Sequence, residues 1–180
     1  MFQTVPYQHQ PEADPLKRLV SAAIEALKGA PQEVCYPTDL DIANWKSRYR
    51  EIDGLNARIL YSIERRAGVY AILTLNFRNK WIVRYIGKTD ADGSRQRIRS
   101  HVVWRNKDTK SGKYTASKFD DVQSTVVRNG RVAISFVEIE PSSLRHYVED
   151  ILLTHFSPEW NCHGVVDALG IHRSRCEWDT

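Results

Sequence analysis

The spacing of apolar positions changes several times along the chain, and each change marks an element. After Asp14-Pro15, an N-cap and first-turn signal, "LKRLVSAAIEALKGA" places Leu16, Leu19, Val20, Ala23, Ile24 and Leu27 on one helical face that stops at Gly29. "PTDLDIANWKSRYREI" predicts a second helix, ended by Asp53-Gly54, and "LNARILYSIERRAG" predicts a third short helix or a connecting segment. Two runs rich in β-branched and aromatic residues follow, "GVYAILTL" and "WIVRYIGKT", with "NFRN" between them, which predicts a β-hairpin. "DADGS" reads as a turn, with Ser94 capping a helix over "RQRIRSHVVWRN". "NKDTKSGKYTA" reads as a basic, glycine-bearing loop, and Ser117 as the cap of a helix over "KFDDVQSTVVRN", although Asn129-Gly130 is equally a hairpin turn. "RVAISFVEIE" is a strand. Pro141-Ser142-Ser143 opens a last helix, "LRHYVEDILLTHF", striped by Leu144, Val148, Ile151, Leu152 and His155.

These elements predict an α+β chain with a three-stranded antiparallel sheet flanked by helices. A mostly helical extension covers residues 1–66, a core 67–162, and a tail 163–180; within the core, 103–130 is a basic insertion. A chain of 180 residues fits one domain, or one domain plus an appendage. The net charge of +4 leans weakly toward an anionic partner, and its distribution says more. From Lys88 to Lys118 stand Lys88, Arg95, Arg97, Arg99, Arg105, Lys107, Lys110, Lys113 and Lys118 against Asp90, Asp92 and Asp108. That segment carries more than the whole net charge, which suggests a footprint for a polyanion; the ordinary alternative is a solvated loop. Three cysteines without framework spacing argue against a disulfide scaffold. No apolar run is long enough to span a membrane, and "MFQTVPYQHQPEADP" lacks the features of a signal peptide, so a reducing, cytoplasmic setting is expected.

The candidate chemistry gathers around the hairpin. If Asn76 and Asn79 close its turn, Tyr70 lies directly opposite Tyr85, on one face of the sheet. Taken alone, such a pair is more often an aromatic brace than a reacting centre. Arg97 and His101, four apart on a predicted helix, share a face. A guanidinium suits phosphate and stays charged, and a histidine can move a proton near neutrality. Glu149 sits just off the apolar stripe of the last helix, where an acid facing a polar pocket can hold a divalent cation.

In order and approximate spacing, "GVY", "YIG", "RIRSH" and "VEDILLTHFSPEWN" resemble the GIY-YIG nucleases. The likeness runs from about Ala67 to Cys162 and leaves out the helical extension and the tail. It implies a small GIY-YIG-type core that cleaves phosphodiesters with Tyr70, Tyr85, Lys88, Arg97, His101, Glu149 and Asn161 around the reacting centre. Glu149 would hold a single Mg²⁺ or Mn²⁺ ion per active site. Tyr70 or His101 would act as general base, while Arg97 balances phosphoryl charge and Asn161 serves catalysis or only pins the strand and helix ends. The architecture is most similar to the small type II restriction endonucleases of the family, some of which read GC-rich palindromes such as CCGCGG. It implies double-stranded DNA with a short palindromic site as partner, and a homodimer, because one active site cuts one strand. Arg95, Arg99, Arg105, Lys107, Lys110, Lys113 and Lys118 are then the expected DNA contacts. A low-specificity repair or mobile-element nuclease, or an inactive DNA-binding protein of the same fold, are the alternatives. A rival metal site, Cys162, His163, His172 and Cys176, has the residue types for zinc but an awkward adjacent pair.

Overall fold

The computed structural model describes residues 14–29, 31–108 and 117–161, and two short strands at 165–166 and 172–173. Six α-helices occur among these residues: α1 (Pro15–Gly29), α2 (Trp45–Leu55), α3 (Ala57–Ser62), α4 (Ser94–Val102), α5 (Phe119–Val127) and α6 (Arg145–Phe156). The strands are β1 (Gln32–Glu33), β2 (Gly68–Leu75), β3 (Trp81–Thr89) and β4 (Val132–Glu138), with β5 (Val165–Val166) and β6 (His172–Arg173) forming a separate pair. The main sheet is antiparallel in the order β1-β4-β2-β3. The class is α+β as expected, but the sheet has four strands instead of three. The addition, β1, is two residues long and comes from the N-terminal extension, too short to leave a periodicity.

Helices cover both faces of the sheet. Tyr70, Ile72, Tyr85, Ile134 and Phe136 point to one side, where Trp45, Ile52, Leu60, Ile98, Val102, Phe119 and Val122 from α2, α3, α4 and α5 pack on them. Val69, Ala71, Leu73, Ile86 and Ala133 point to the other, against Val20, Ala23 and Leu27 of α1 and Val148 and Leu152 of α6. Strand alternation explains the split, and its double coverage explains why β2 reads as a continuous apolar run. The N-terminal extension therefore supplies side chains to both cores. The segment at 103–130 also contains a core helix, with Phe119 and Val122 buried.

Local chemistry moves several boundaries. Asp41 and Asn44 exchange reciprocal hydrogen bonds, Asn44 Oδ1 accepting from the Asp41 amide at 3.0 Å and Asp41 Oδ1 from the Asn44 amide at 2.7 Å. That turn delays α2 to Trp45, and the helix runs through Gly54 instead of stopping there. Asp14 caps α1 as expected, its carboxylate accepting from the Leu16 amide at 3.0 Å. Ser94 does not cap α4: it is buried as the first helical residue, and its hydroxyl donates to the Ile63 carbonyl at 2.7 Å. At 117–129 the helix prevails over the hairpin alternative, and Asn129 takes a left-handed φ of 61° just beyond its end.

The hairpin departs most from expectation. Its loop closes between Asn76 and Lys80, with Asn79 left-handed at φ 58°, one residue longer than the "NFRN" reading. A β-bulge then leaves Arg84 without a partner between the pairs Leu73↔Val83 and Ile72↔Tyr85. Tyr70 consequently pairs with Gly87, not with Tyr85. Each one-residue shift turns β3 over, and two restore it, so both phenols still share a face.

Candidate active site

Tyr70, Tyr85 and His101 form one ring cluster, with centroids 6.0 Å apart for the two tyrosines, 5.6 Å for Tyr70–His101 and 5.3 Å for Tyr85–His101. Tyr70 and His101 are almost wholly buried. The phenol fits because Gly87 has no side chain: a Cβ there would lie 2.7 Å from the Tyr70 hydroxyl oxygen. The glycine of the "YIG" run thus makes room for the tyrosine of the "GVY" run.

The hydrogen bonds define the state of each group. The backbone N–H of Lys118 donates to His101 Nδ1 at 2.8 Å. That nitrogen is therefore an acceptor, and in the neutral ring the proton sits on Nε2. His101 Nε2 lies 2.8 Å from the Tyr70 hydroxyl and so donates to it. The Arg97 Nε–H donates to the same oxygen at 3.1 Å. Burial pushes the Tyr70 phenol up from its ordinary range, the neighbouring Tyr85 adds to this, and the Arg97 guanidinium pulls it back. Burial pushes His101 down to about 3, reinforced by the positive charges of Arg97 and Lys118. With one nitrogen receiving an amide proton and the other donating, His101 has no free site for a proton.

This has a consequence for stability. Between pH 6.5 and about 3 the unfolded chain carries a proton on His101 that the folded chain lacks. Stability therefore rises with pH across this window and is lost as pH falls through it, by up to about 1.4 kcal/mol per pH unit from this residue. The His101→Gln variant is expected to show a flatter dependence of its urea midpoint on pH between 6.5 and 4. An unchanged slope would mean that the buried ring titrates normally.

Glu149 and Lys88 form a second group. Glu149 lies on α6, 8% exposed, and its carboxylate is bonded by the Lys88 ammonium. Lys88 pairs with Val69 and so points to the α1/α6 side, while its neighbour Gly87 faces the phenols. The two groups meet at β3, an outer strand of the sheet. Asn161 hems that edge: its Oδ1 accepts from the Ile86 amide and its Nδ2 donates to the Ile86 carbonyl, both at 2.8 Å. Asn161 thus satisfies an edge pair that no strand covers among the described residues. Trp160 beside it is buried with the phenol-side core.

Glu149 suits a hard divalent cation. Among the described residues no group of three His, Cys, Asp or Glu side chains is poised to hold a metal. Among the described residues a cation at Glu149 would have this one buried carboxylate, and it would complete its shell with water and substrate oxygens, which is how Mg²⁺ is commonly held. Asp150, next in sequence, is exposed, and Asp120 is bonded to Lys107 at 2.6 Å. Of the tail residues, His172 lies in β6, while Cys162, His163 and Cys176 fall outside the described residues.

The basic residues divide between these sites and the surface. Arg95 and Arg99 occupy the other face of α4 from Arg97 and His101. Arg95 lies 4.1 Å over the Tyr61 ring, and Arg99 donates to Asp53 at 2.8 Å. Both line a cleft of about 600 Å³ with Arg65, Glu64 and Asp92. Arg105 is half-buried, and Lys107 is exposed. Lys110 and Lys113 fall outside the described residues. Lys118 belongs with the phenols: its ammonium stands 5.6 Å from the Tyr85 ring centroid, and its amide fixes the His101 tautomer.

The sequence hid a further set of supports. Tyr36 donates its hydroxyl to the Val102 carbonyl at 2.9 Å, and Trp45 Nε1 donates to the Val103 carbonyl at 2.7 Å. Both cap the C-terminal end of α4, the helix that carries Arg97 and His101. They come from the N-terminal extension, and the general tendency of a buried Trp N–H to find an acceptor is the signal by which such a tie could have been found. In comparison with known proteins, no family model matches this chain, and no curated protein matches it.

Proposed function

We propose that the chain is a site-specific endonuclease of double-stranded DNA of the GIY-YIG type, hydrolysing phosphodiesters with Tyr70 as general base. One observation carries this reading: a single buried tyrosine oxygen receives N–H bonds from both Arg97 and His101. Two donors favour the phenolate form, which burial alone opposes. Bringing an anionic phosphate to Arg97 leaves that guanidinium bridging the phosphate and the phenol. Tyr70 takes the proton of the attacking water, and His101, fixed in one tautomer, holds the phenol in place and does not act as base. Tyr85, on the same face, orients the water. Glu149 is the residue that would hold one Mg²⁺ or Mn²⁺ ion. When bound, such an ion supplies Lewis-acid stabilisation of charge on the phosphoryl oxygens. Lys88, released from Glu149, is placed to neutralise the phosphate.

The half-buried Arg95, Arg99, Arg105 and Lys118 and the exposed Lys107, with Lys110 and Lys113, are the residues we assign to the DNA backbone. A restriction enzyme acting as a homodimer on a palindrome is the form we favour. Incubation with plasmid and Mg²⁺ tests it: discrete fragments support site-specific cleavage, a smear supports a low-specificity nuclease, and intact plasmid at every enzyme level removes the catalytic reading.

Gly87 gives a second check. In Gly87→Ala the added methyl meets the Tyr70 hydroxyl and also approaches Tyr85 Cε1, at 2.9 Å. The phenol must shift, and cleavage is expected to fall by about 10²-fold, the scale of a displacement near 1 Å at a reacting group. A variant that cuts at the unmodified rate would separate the position of the phenol from the reaction.

A further inference from the structure

The hairpin that carries Tyr70 and Gly87 at one end presents a bare phenylalanine at the other. Phe77 is 91% exposed, the most exposed of the large apolar side chains among the described residues. Its loop is well tied. Asn76 Oδ1 accepts from the amides of Arg78 at 3.0 Å and Lys80 at 2.9 Å, and the Asn79 amide donates to the Asn76 carbonyl at 3.0 Å. The ring is thus held outward by a bonded turn, so its exposure does not come from a slack loop.

Its surroundings are cationic. No acid occurs in the sequence from Arg65 to Thr89, which contains Arg78, Lys80, Arg84 and Lys88 on the hairpin itself. Arg84 and Lys88 are bonded to Glu159 and Glu149, whereas Arg78 and Lys80 have no ion pair among the described residues. Glu33, which the sheet brings to the same end, is bonded to Arg131. Arg78 lies 5.3 Å over the Phe77 ring, leaving an apolar plate beside two cations.

We infer that this tip is an aromatic wedge for duplex DNA, with Phe77 entering between base steps and Arg78 and Lys80 gripping the flanking phosphates. The inference rests on the nuclease reading above and adds a contact to it outside the α4 region. The cations select a polyanion, and apolar plates of this kind are inserted into DNA grooves to unstack and kink the helix. The ladder also sets the distance. Five residue steps from Tyr70 to Leu75 span about 17 Å at about 3.4 Å each, equal to about five base pairs of duplex, and Phe77 stands beyond that end of the ladder. The wedge would therefore act in the DNA flanking the cut, and not at the scissile phosphate.

Unwinding of plasmid tests this without knowledge of the recognition site. Closed circular DNA is relaxed by a metal-independent topoisomerase in EDTA with the protein bound, then stripped of protein. A wedge that untwists base steps leaves negative supercoils. The unmodified protein is expected to leave them, and Phe77→Ala is expected to leave none and to bind duplex about tenfold more weakly. Arg78→Ala with Lys80→Ala should lower the salt dependence of binding by about two units. Because Phe77 packs on little, its variant should unfold at an unchanged temperature. Binding of the unmodified protein without unwinding, or unwinding by Phe77→Ala equal to it, overturns the wedge alone. A change in sedimentation of Phe77→Ala with DNA binding unaltered also overturns it and makes the tip a contact between copies of the chain. If the unmodified protein binds no duplex at all, the nuclease reading falls, and the wedge with it.

Discussion

Tyr70→Phe is expected to lower the single-turnover cleavage rate by about 10³-fold, within the usual range for loss of a general base. The ring keeps its place in the core beside Tyr85 and Ile72, and only the oxygen is removed. Stability should also fall, by about 1–3 kcal/mol, because the buried Nε2–H of His101 loses its acceptor. DNA affinity should stay near that of the unmodified protein, since Arg97 keeps its charge. The decisive comparison is between cleavage and urea unfolding of the same variant. If Tyr70→Phe loses stability yet cuts normally once folded, the two tyrosines are a structural brace and the base lies elsewhere.

Glu149→Gln is expected to abolish cleavage while leaving DNA binding intact. The amide keeps the shape of the carboxylate and removes its charge, so α6 still packs through Val148 and Leu152. Lys88 then loses its counter-ion and is freed toward phosphate, so binding in EDTA should become slightly tighter and more salt-dependent. Calorimetric titration with Mn²⁺ should show binding to the unmodified protein and none to the variant. Near-normal cleavage by Glu149→Gln in Mg²⁺ would sink the assignment of Glu149 as the metal ligand.

What could be read from the sequence were the features with a local period. The apolar stripe from Leu16 to Leu27 gave α1, and alternating and branched runs gave β2, β3 and β4, because spacing alone decides which face is buried. That Arg97 and His101 share a helical face was legible from their spacing of four, whereas Tyr85 reaches the face of Tyr70 through two compensating register shifts that no local period shows. Contacts made through backbone atoms were not. The Lys118 amide that sets the His101 tautomer has no side-chain signature, and Lys118 reads from sequence as one more basic loop residue. The two-residue β1 is likewise recognised by its partner β4 and not by its own pattern. The start of α2 was misplaced because the Asp41–Asn44 turn competes with helix through side-chain bonds that propensity does not weigh.

The hairpin can be thought of as a text with a reading frame of two, in which odd and even positions mean opposite layers. The extra loop residue at the tip is a frameshift: carried alone along a regular ladder, it would deliver Tyr85 to the α1/α6 layer, away from Tyr70 and His101. The unpaired Arg84 is its suppressor, a second shift that restores the frame immediately before the apolar code of Tyr85, Ile86 and Gly87 has to be read. Its guanidinium is meanwhile spent on Thr74 and Glu159 beside the ladder. Length changes in this loop should thus be inherited in compensating pairs, and a chain with one of them unmatched would keep its composition and lose its meaning.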